Sequence, residues 1–237
     1  MPIRRAVILA AGNGDRFHSN TSGSKLLAHV AGMPLISRTI FAAAQADVRL
    51  IDIIVGYQAD AVERTAAAAT PPGVTLRFHN NDRWHEENGV SALVARPHVG
   101  NERFALLMGD HVFDWRVLQH LVRQATRGNE SLLAIDRSPA TAAQAAEATK
   151  VRLQGDRITA IGKHVDPFDA IDTGLFVFSP AIFGALEESA CAGDTSLSGG
   201  VRRLAARGLM RGVDTGGSAW CDVDTVADLM QASSLFT

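Results

Sequence analysis

The stretch that decides the fold is Val7-Ile8-Leu9-Ala10-Ala11-Gly12-Asn13-Gly14-Asp15-Arg16-Phe17. Its apolar first half, rich in Val, Ile and Leu, is typical of a buried strand. The strand runs into two glycines one residue apart, where the backbone can turn sharply and present its N–H groups to an anion. Arg16 and, after a polar gap, Lys25 add positive charge beside these donors. This pattern favours a loop that holds a nucleoside triphosphate.

Two better-known phosphate-binding loops are excluded by single residues. A P-loop requires Gly-Lys-Ser/Thr, but Ser24 separates Gly23 from Lys25, and Leu26 stands where the magnesium-binding hydroxyl would be. A dinucleotide fingerprint requires a third glycine, and Phe17 occupies that position. An ordinary strand-to-loop turn with incidental basic residues remains an alternative, because Gly-x-Gly by itself is a weak signal.

Length and composition favour a single α/β domain over residues 1–237. With 46% hydrophobic and 20% charged residues, the chain can build a packed core. The net charge of −2 provides no overall basic field for nucleic acid or an acidic membrane, so any anion site must be built locally. We therefore expect small-molecule substrates and no nucleic-acid partner.

The sequence carries no signal for export or membrane insertion. Cys191 and Cys221 lie far apart, without a second Cys or His at metal-ligand spacing, which favours ordinary thiols in a reducing compartment. The first residues lead directly into the first strand, and no apolar run reaches the roughly 18 residues of a membrane span. We expect a cytoplasmic protein that is not embedded in a membrane.

Apolar runs alternate with helical patterns through the first half of the chain. Such alternation predicts a three-layer α/β/α, Rossmann-like fold with a mainly parallel central sheet and ligands beyond the carboxyl ends of its strands. The Gly12 loop and Gly109-Asp110 both follow such ends, so we expect them to face one crevice. Strands are predicted at 48–56, 75–79, 104–108 and 132–136, and helices at 34–46, 60–69 and 90–95.

The second half of the chain changes character. Segments 149–153 and 157–161 flank Gln154-Gly155-Asp156 and predict a β-hairpin. Thr225 and Asp228 have the spacing of a capping box at the start of a last helix, predicted to begin within 223–230. We interpret about 139–198 as a small acceptor-side lobe that is inserted into the nucleotide fold. A further strand is predicted at 173–178, and helices at 180–188 and 201–207.

Three carboxylates are candidates for a magnesium site. Asp110 closes a buried strand, and Asp222 and Asp224 stand two residues apart, on one face if that stretch is extended. Mg²⁺ is typically held by one or two carboxylates together with substrate phosphates. The alternative is that these residues terminate a strand and cap a helix. His111 is better explained as a hydrogen-bonded histidine than as a ligand, because Mg²⁺ prefers oxygen.

Two further polar regions have both a functional and an ordinary interpretation. The polar stretch from Asn80 to Ser91 lies between a strand and a helix, where amides and small residues can contact a base edge. Lys150, Arg152 and Lys163 flank the hairpin and could contact a second phosphate. A polar surface loop and a solvated basic ribbon explain the same compositions.

These residues resemble a known family. Leu9-Ala10-Ala11-Gly12-x-Gly14-x-Arg16-Phe17 with Lys25 is similar to the signature of the sugar-phosphate nucleotidyltransferases, with Ser24 in place of the usual proline. Further motifs resemble the CTP:inositol-1-phosphate cytidylyltransferases: Asn88-Gly89-x-Ser91, Met108-Gly109-Asp110-His111-Val112, Glu147-Ala148-Thr149-Lys150-Val151, Ile161-Gly162-Lys163 and Asp169-Ala170-Ile171-Asp172-Thr173-Gly174. In some organisms this cytidylyltransferase domain is fused to a membrane-bound synthase. Because no membrane segment follows here, the resemblance implies a free-standing form.

The resemblance implies roles for the matched positions. The loop backbone and the Asn88 motif would hold cytidine, two cations would contact the triphosphate, and a third would contact the acceptor phosphate. The implied sets are catalytic Arg16, Lys25 and Lys163; nucleotide-binding Leu9, Ala10, Ala11, Gly12, Gly14, Asn88, Gly89 and Ser91; Mg²⁺-binding Asp110, Asp222 and Asp224; and acceptor-binding Lys150, Asp136, Asp172 and Thr173.

The implied reaction is cytidylyl transfer from CTP to a phosphorylated polyol such as inositol 1-phosphate, giving a CDP-alcohol and pyrophosphate. The acceptor phosphate already carries nearly two negative charges near neutrality, since its second pKa is about 6. The reaction therefore needs in-line positioning and charge neutralisation more than a strong base. Alternatives are phosphocholine, an aminoalkylphosphonate or a sugar 1-phosphate as acceptor, or a non-catalytic nucleotide sensor. A homodimer is also compatible with the sequence.

Overall fold

A nine-stranded sheet runs through the part of the chain that this computed structural model describes, residues 3–14, 17, 23–138 and 148–236. Its strands are β1 (Arg5–Ala10), β4 (Leu50–Val55), β5 (Thr75–Asn80), β6 (Phe104–Met108), β8 (Ser131–Asp136), β9 (Lys150–Gln154), β10 (Arg157–Gly162), β11 (Ala170–Phe178) and β12 (Met210–Asp214). Two small ladders accompany it: β2 (His29–Val30) with β3 (Met33–Pro34), and β7 (His111–Phe113) with β13 (Trp220–Asp222).

The order of the sheet is β5-β4-β1-β6-β11-β8-β12-β10-β9, and it has two halves of different character. From β5 to β6 every pairing is parallel, as the sequence predicts. Beyond β6, β11 lies antiparallel to both β6 and β8, so the prediction of a mainly parallel sheet applies to the first half alone. The second half is mixed because β11 and the β9–β10 hairpin enter the sheet without the helical crossover that a parallel neighbour requires.

Helices cover both faces of this sheet, which confirms the three-layer α/β/α architecture. On one face pack α1 (Leu35–Gln45), α2 (Ala59–Ala68) and α5 (Trp115–Val122), through residues such as Ile40, Val62 and Leu118. The other face is covered by α3 (Asn88–Val94), α4 (Arg96–Val99), α6 (Ala181–Cys191) and α7 (Leu197–Ala206). A separate small core lies under α8 (Val226–Leu235), near the 3₁₀ turn Lys25–Leu27.

Most predicted elements of the described residues are present, with shifts of a few residues at their ends. The strand at 104–108 has the predicted bounds, and the Thr225–Asp228 capping box forms at the start of α8. Pro34, predicted in the first helical turn, lies in β3 and precedes the first residue of α1. The sequence analysis missed β2, β3, β7 and β13 because two or three residues are too few to show a periodicity. It also missed β12 and α5.

The predicted acceptor-side lobe is continuous with the central sheet where the structure describes it. The β9–β10 hairpin forms as predicted, but β10 pairs with β12 and β9 pairs with β11. Residues 139–147 of the predicted lobe lie outside the described residues. That the whole chain forms one domain stays a prediction. In the described part of the chain, each helix is too short or too polar to cross a membrane.

Candidate active site

The loop after β1 and the turn after β6 lie side by side at the carboxyl edge of the sheet. Leu9 pairs with Met108 across the two strands, and the Gly109 N–H donates to the Leu9 carbonyl at 2.9 Å. On the other side, the Tyr57 N–H donates to the Ala11 carbonyl at 2.9 Å. The β1 loop and Asp110 therefore begin from neighbouring positions, as expected for one shared crevice.

Lys25 is held at this edge by its local backbone. Ser24 caps the 3₁₀ turn Lys25–Leu27, and its own N–H donates to the Gln58 side chain at 2.8 Å. A proline, usual in the resembling family, would lack that donor. Gly14 has a φ of +70°, and a Cβ there would lie 3.0 Å from the Lys25 Cβ. The second glycine of the loop is thus required both for a left-handed backbone and for close approach to Lys25.

The Lys25 ammonium joins two of the three predicted carboxylates. Its Nζ lies 2.7 Å from Asp110 Oδ2 and 2.9 Å from Asp224 Oδ1, and the lysine side chain is only 8% exposed. Burial by itself lowers the pKa of Lys25, but attraction to Asp110 and Asp224 outweighs it, so the pKa is raised. Burial opposes ionisation of Asp110 too, yet the neighbouring Lys25 holds its pKa below the ordinary value. Lys25 and Asp110 are therefore both charged near neutral pH.

The arrangement fits a divalent cation. Oxygens of Asp110 and Asp224 already converge on one positive charge, and carboxylate oxygen is the ligand that hard cations prefer. Asp222 does not complete a set of three, since the described residues contain no group of three or more metal-ligating side chains. The strand β13 ends at Asp222, so strand alternation does not extend to Asp224 as the sequence analysis assumed.

Asp224 is positioned by the capping box of α8. The Asp228 carboxylate accepts the backbone N–H groups of Asp224 and Thr225 at 3.1 and 2.7 Å, and the Thr225 hydroxyl accepts the Asp228 N–H at 3.2 Å. The Val223 N–H donates to the Asp110 carbonyl at 3.1 Å, which fixes the start of the turn. A helix start that was predicted for local reasons therefore also orients a site carboxylate.

A cavity of about 820 Å³ extends from this cluster towards the β9–β10 hairpin. Asp110, Asp222 and Asp224 line it near this cluster, and Lys150 and Lys163 line it near the hairpin. Lys150 lies over the Phe168 ring, with its Nζ 5.5 Å from the ring centre. Lys163 is exposed and has no acidic partner among the described residues. The cavity thus has carboxylates at one end. At the other end it has Lys150 and Lys163, neither of which has an acidic partner in the described part of the chain.

Asp172 and His111 lie between these ends. Burial raises the pKa of Asp172 to about 6, although the Gly174 N–H donates to its Oδ1 at 2.7 Å. His111 Nδ1 lies 2.9 Å from the Thr173 carbonyl, which can only accept, so Nδ1 carries the proton and Nε2 faces Asp110. His111 is a hydrogen-bonded histidine, as the sequence analysis expected.

Several predicted site residues have their side chains committed elsewhere. The Thr173 hydroxyl is buried and donates to the Ala134 carbonyl at 2.8 Å, because alternation along β11 turns it away from the face of Asp172. Asp136 is buried and accepts the indole N–H of Trp220 at 2.9 Å. Neither side chain lines the cavity, so the structure does not support them as acceptor ligands.

The predicted cytidine-binding motif is only partly open to the cavity. Asn88 lines the cavity, and its Oδ1 accepts the Leu197 N–H at 2.8 Å. Gly89 packs so closely on the chain that a Cβ would lie 2.4 Å from the Thr195 carbonyl oxygen. The buried Ser91 hydroxyl accepts from the Asn81 side chain at 2.9 Å. Arg16 and Glu147 lie outside the described residues.

Two groups at the cavity were not singled out from the sequence as site residues. His164 follows Lys163 and lines the same wall. Asp228 was predicted only as a cap, and its contact with the backbone of Asp224 gives it a second role. The position of His164 directly after Lys163 was a sequence signal that could have placed it at the cavity. The role of Asp228 in orienting Asp224 could be inferred only once the start of α8 was known.

Comparison with known proteins agrees with this geometry. A MobA-like NTP transferase domain matches residues 6–209. The bifunctional IPC transferase and DIPP synthase of Archaeoglobus fulgidus is 36% identical over 231 residues, which cover 98% of this chain and 43% of that protein. The protein of the same name from Rubrobacter xylanophilus is 33% identical over 227 residues, 94% of this chain and 50% of that protein. The chain spans about half the length of the curated relatives it matches.

Solved structures share the fold along nearly the whole chain. The inositol-1-phosphate CTP transferase from T. maritima has a TM-score of 0.86 and 23% identity, covering 99% of this chain and 96% of that chain. The UDP-glucose pyrophosphorylase from Acinetobacter baumanii has a TM-score of 0.81 and 16% identity, and the match covers 98% of this chain and 92% of that chain. Because the matched domain extends over residues 6–209, we conclude that the chain belongs to the MobA-like NTP transferase family.

Proposed function

We propose that this chain transfers a cytidylyl group from CTP to a phosphorylated polyol, with inositol 1-phosphate as the first candidate. The observation that carries the proposal is the contact of Lys25 with Asp110 and Asp224 in a cavity that Lys150 and Lys163 also line. An enzyme that joins a metal-bound nucleotide to a second phosphate needs such an arrangement of charges. The products are a CDP-alcohol and pyrophosphate.

The choice of CTP and inositol phosphate is supported by the relatives. Four curated relatives that align with 94–98% of this chain are named bifunctional IPC transferase and DIPP synthase. The solved transferase from T. maritima, which has the same fold, is named for inositol 1-phosphate and CTP. The motifs around Asn88, Asp110, Lys163 and Asp172 support the same assignment.

Enzymes of this family generally use a divalent metal, and we propose Mg²⁺ for this chain. Asp110 and Asp224 would hold it, because their oxygens converge and Mg²⁺ needs only one or two protein carboxylates when phosphates supply further ligands. When bound, the ion neutralises charge on the phosphate that is attacked and on the departing pyrophosphate.

The side chains of the cavity provide positioning and charge. Lys25 contributes an ammonium for the triphosphate, and Lys163, which lacks an acidic partner among the described residues, contributes one for the acceptor phosphate. Holding the acceptor oxygen in line with the α-phosphorus is the main catalytic requirement, because that oxygen is already charged and needs no strong base. Asp172 is placed to accept hydrogen bonds from acceptor hydroxyl groups. Arg16 stays a predicted contact to the triphosphate.

The proposal is tested by measuring pyrophosphate release across a matrix of nucleotides and acceptors. CTP, UTP, GTP and ATP are each combined with inositol 1-phosphate, phosphocholine, an aminoalkylphosphonate and glucose 1-phosphate, with Mg²⁺ present. We expect CTP with inositol 1-phosphate to give the highest kcat/KM. A clearly higher value for another pair would overturn the substrate assignment, and absence of turnover with every pair would favour a nucleotide sensor.

A further inference from the structure

One positive charge already occupies the position between the two site carboxylates. The Lys25 ammonium contacts Asp110 at 2.7 Å and Asp224 at 2.9 Å, and only 8% of the lysine side chain is exposed. These two oxygens belong to the carboxylates that would hold a divalent cation. The lysine and the metal therefore compete for one pair of ligands.

This competition is electrostatically strong. A metal ion that arrived while Lys25 kept its place would lie beside a buried ammonium, where the repulsion between like charges is far greater than in water. The ammonium must move to other anionic partners before the carboxylates can accept a second cation.

We propose that Lys25 closes the Asp110–Asp224 pair to free divalent metal and releases it when a nucleoside triphosphate binds. The triphosphate oxygens give the ammonium new partners, and the carboxylates then accept the metal that accompanies the nucleotide. The second step of this exchange, the movement of Lys25 to the triphosphate, rests on the proposed function. The first step, the exclusion of free metal, depends only on the contacts of Lys25 with Asp110 and Asp224.

The exchange couples the two ligands. If the nucleotide increases the affinity of the site for metal, the metal must increase the affinity for the nucleotide by the same factor. Replacing Lys25 by a neutral side chain of similar length removes the competition and the coupling together. Free metal should then bind more tightly, although the variant has lost a residue that contacts the triphosphate.

The test is direct binding of Mn²⁺, as a stand-in for Mg²⁺, to the protein without nucleotide, followed by electron paramagnetic resonance of the free ion. We expect Lys25→Met to bind Mn²⁺ about tenfold or more tightly than the wild type, because a buried like charge has been removed. Lys150→Met is the matched control: it removes a positive charge from the same cavity but leaves the Lys25 contacts in place. It should change Mn²⁺ affinity much less.

Addition of CTP should raise the Mn²⁺ affinity of the wild type. In Lys25→Met, CTP should raise the Mn²⁺ affinity only by the amount that the phosphate ligands of the nucleotide themselves contribute. Circular dichroism checks that the variant folds, and Lys25→Gln replaces it if Met is not tolerated. Equal Mn²⁺ affinity of wild type and the folded Lys25 variant would overturn the exclusion. This outcome is independent of the substrate assignment, since the first measurement contains neither nucleotide nor acceptor.

Discussion

The two ends of the cavity differ in how their charges are balanced. At the nucleotide end, the single ammonium of Lys25 pairs with both Asp110 and Asp224 through contacts of 2.7 and 2.9 Å. At the acceptor end, Lys163 is exposed without an acidic partner in the described chain, and Lys150 contacts only the face of an aromatic ring in the contacts seen here. The first end is organised before any ligand arrives, whereas the second leaves its charge available for one.

This difference indicates how the work of the site is divided. Carboxylates that the backbone already holds close together lose little entropy when they bind a cation, and such pre-organisation contributes to electrostatic catalysis. Exposed cations gain most of their interaction energy when an anion binds. We therefore expect changes at the nucleotide end to reduce turnover and changes at the acceptor end to weaken acceptor binding.

The largest expected effect is at the nucleotide end. Asp110→Asn should reduce kcat on the order of a hundredfold to a thousandfold, because it removes a charge that pairs with Lys25 and that would hold the proposed metal. Pyrophosphate release measures the loss, and circular dichroism checks the fold. Asp156→Asn, in the exposed hairpin turn, is the control. Near-normal turnover of Asp110→Asn would remove this residue from the site and break the comparison.

A second prediction concerns Gly174, where the two ends meet. Its φ is +75°, and a Cβ there would lie 2.3 Å from His111 Cε1. Gly174→Ala should lower the free energy of unfolding by about 2–4 kcal/mol, since it adds both backbone strain and a clash. Gly217→Ala is matched, because its φ is +76° and no atom lies within 4 Å of the added Cβ. Equal losses in chemical denaturation would show that the His111 contact costs nothing.

The third prediction tests the acceptor end. Lys163→Ala should raise the KM for the acceptor about tenfold, the value of one charged hydrogen bond, and change the KM for CTP much less. Arg152→Ala is the control, because its guanidinium donates to the Pro167 and Asp166 carbonyls in the loop between β10 and β11. A larger effect on kcat than on the acceptor KM would place Lys163 with the nucleotide end instead.

The smallest effect is a pH dependence of stability from Asp172. Its pKa is raised from 3.8 to about 6, so the folded state holds this proton more tightly than the unfolded state. The stabilisation is present below pH 3.8 and is lost as the pH rises through about 6. Asp172→Asn should therefore gain about 1–2 kcal/mol relative to wild type between about pH 4 and pH 7 in urea unfolding. A pH-independent difference would contradict the buried, proton-retaining carboxyl.

Much of the nucleotide end could be predicted from the sequence. Three of its residues were recognisable: Lys25 as a cation close after the Gly loop, Asp110 as the acid that closes a buried strand, and Asp224 as one of two acids two positions apart. The acceptor end was harder. Thr173 and Asp172 are neighbours in sequence, but strand alternation sends one hydroxyl to the Ala134 carbonyl and the other side chain to the cavity. Without knowing which face of β11 is buried, sequence reasoning assigned both to the acceptor.

The sequence by itself determined the local chemistry: the buried strand, the turn of two glycines, the acids at element ends and the helix cap. These depend on residue type and on spacings of a few positions. Only the tertiary structure decided that Lys25 bridges Asp110 and Asp224, because Lys25 and Asp224 lie 199 positions apart in the sequence. The physical link is the pairing of β13 with β7, two strands too short to be recognised, which returns the end of the chain to Asp110.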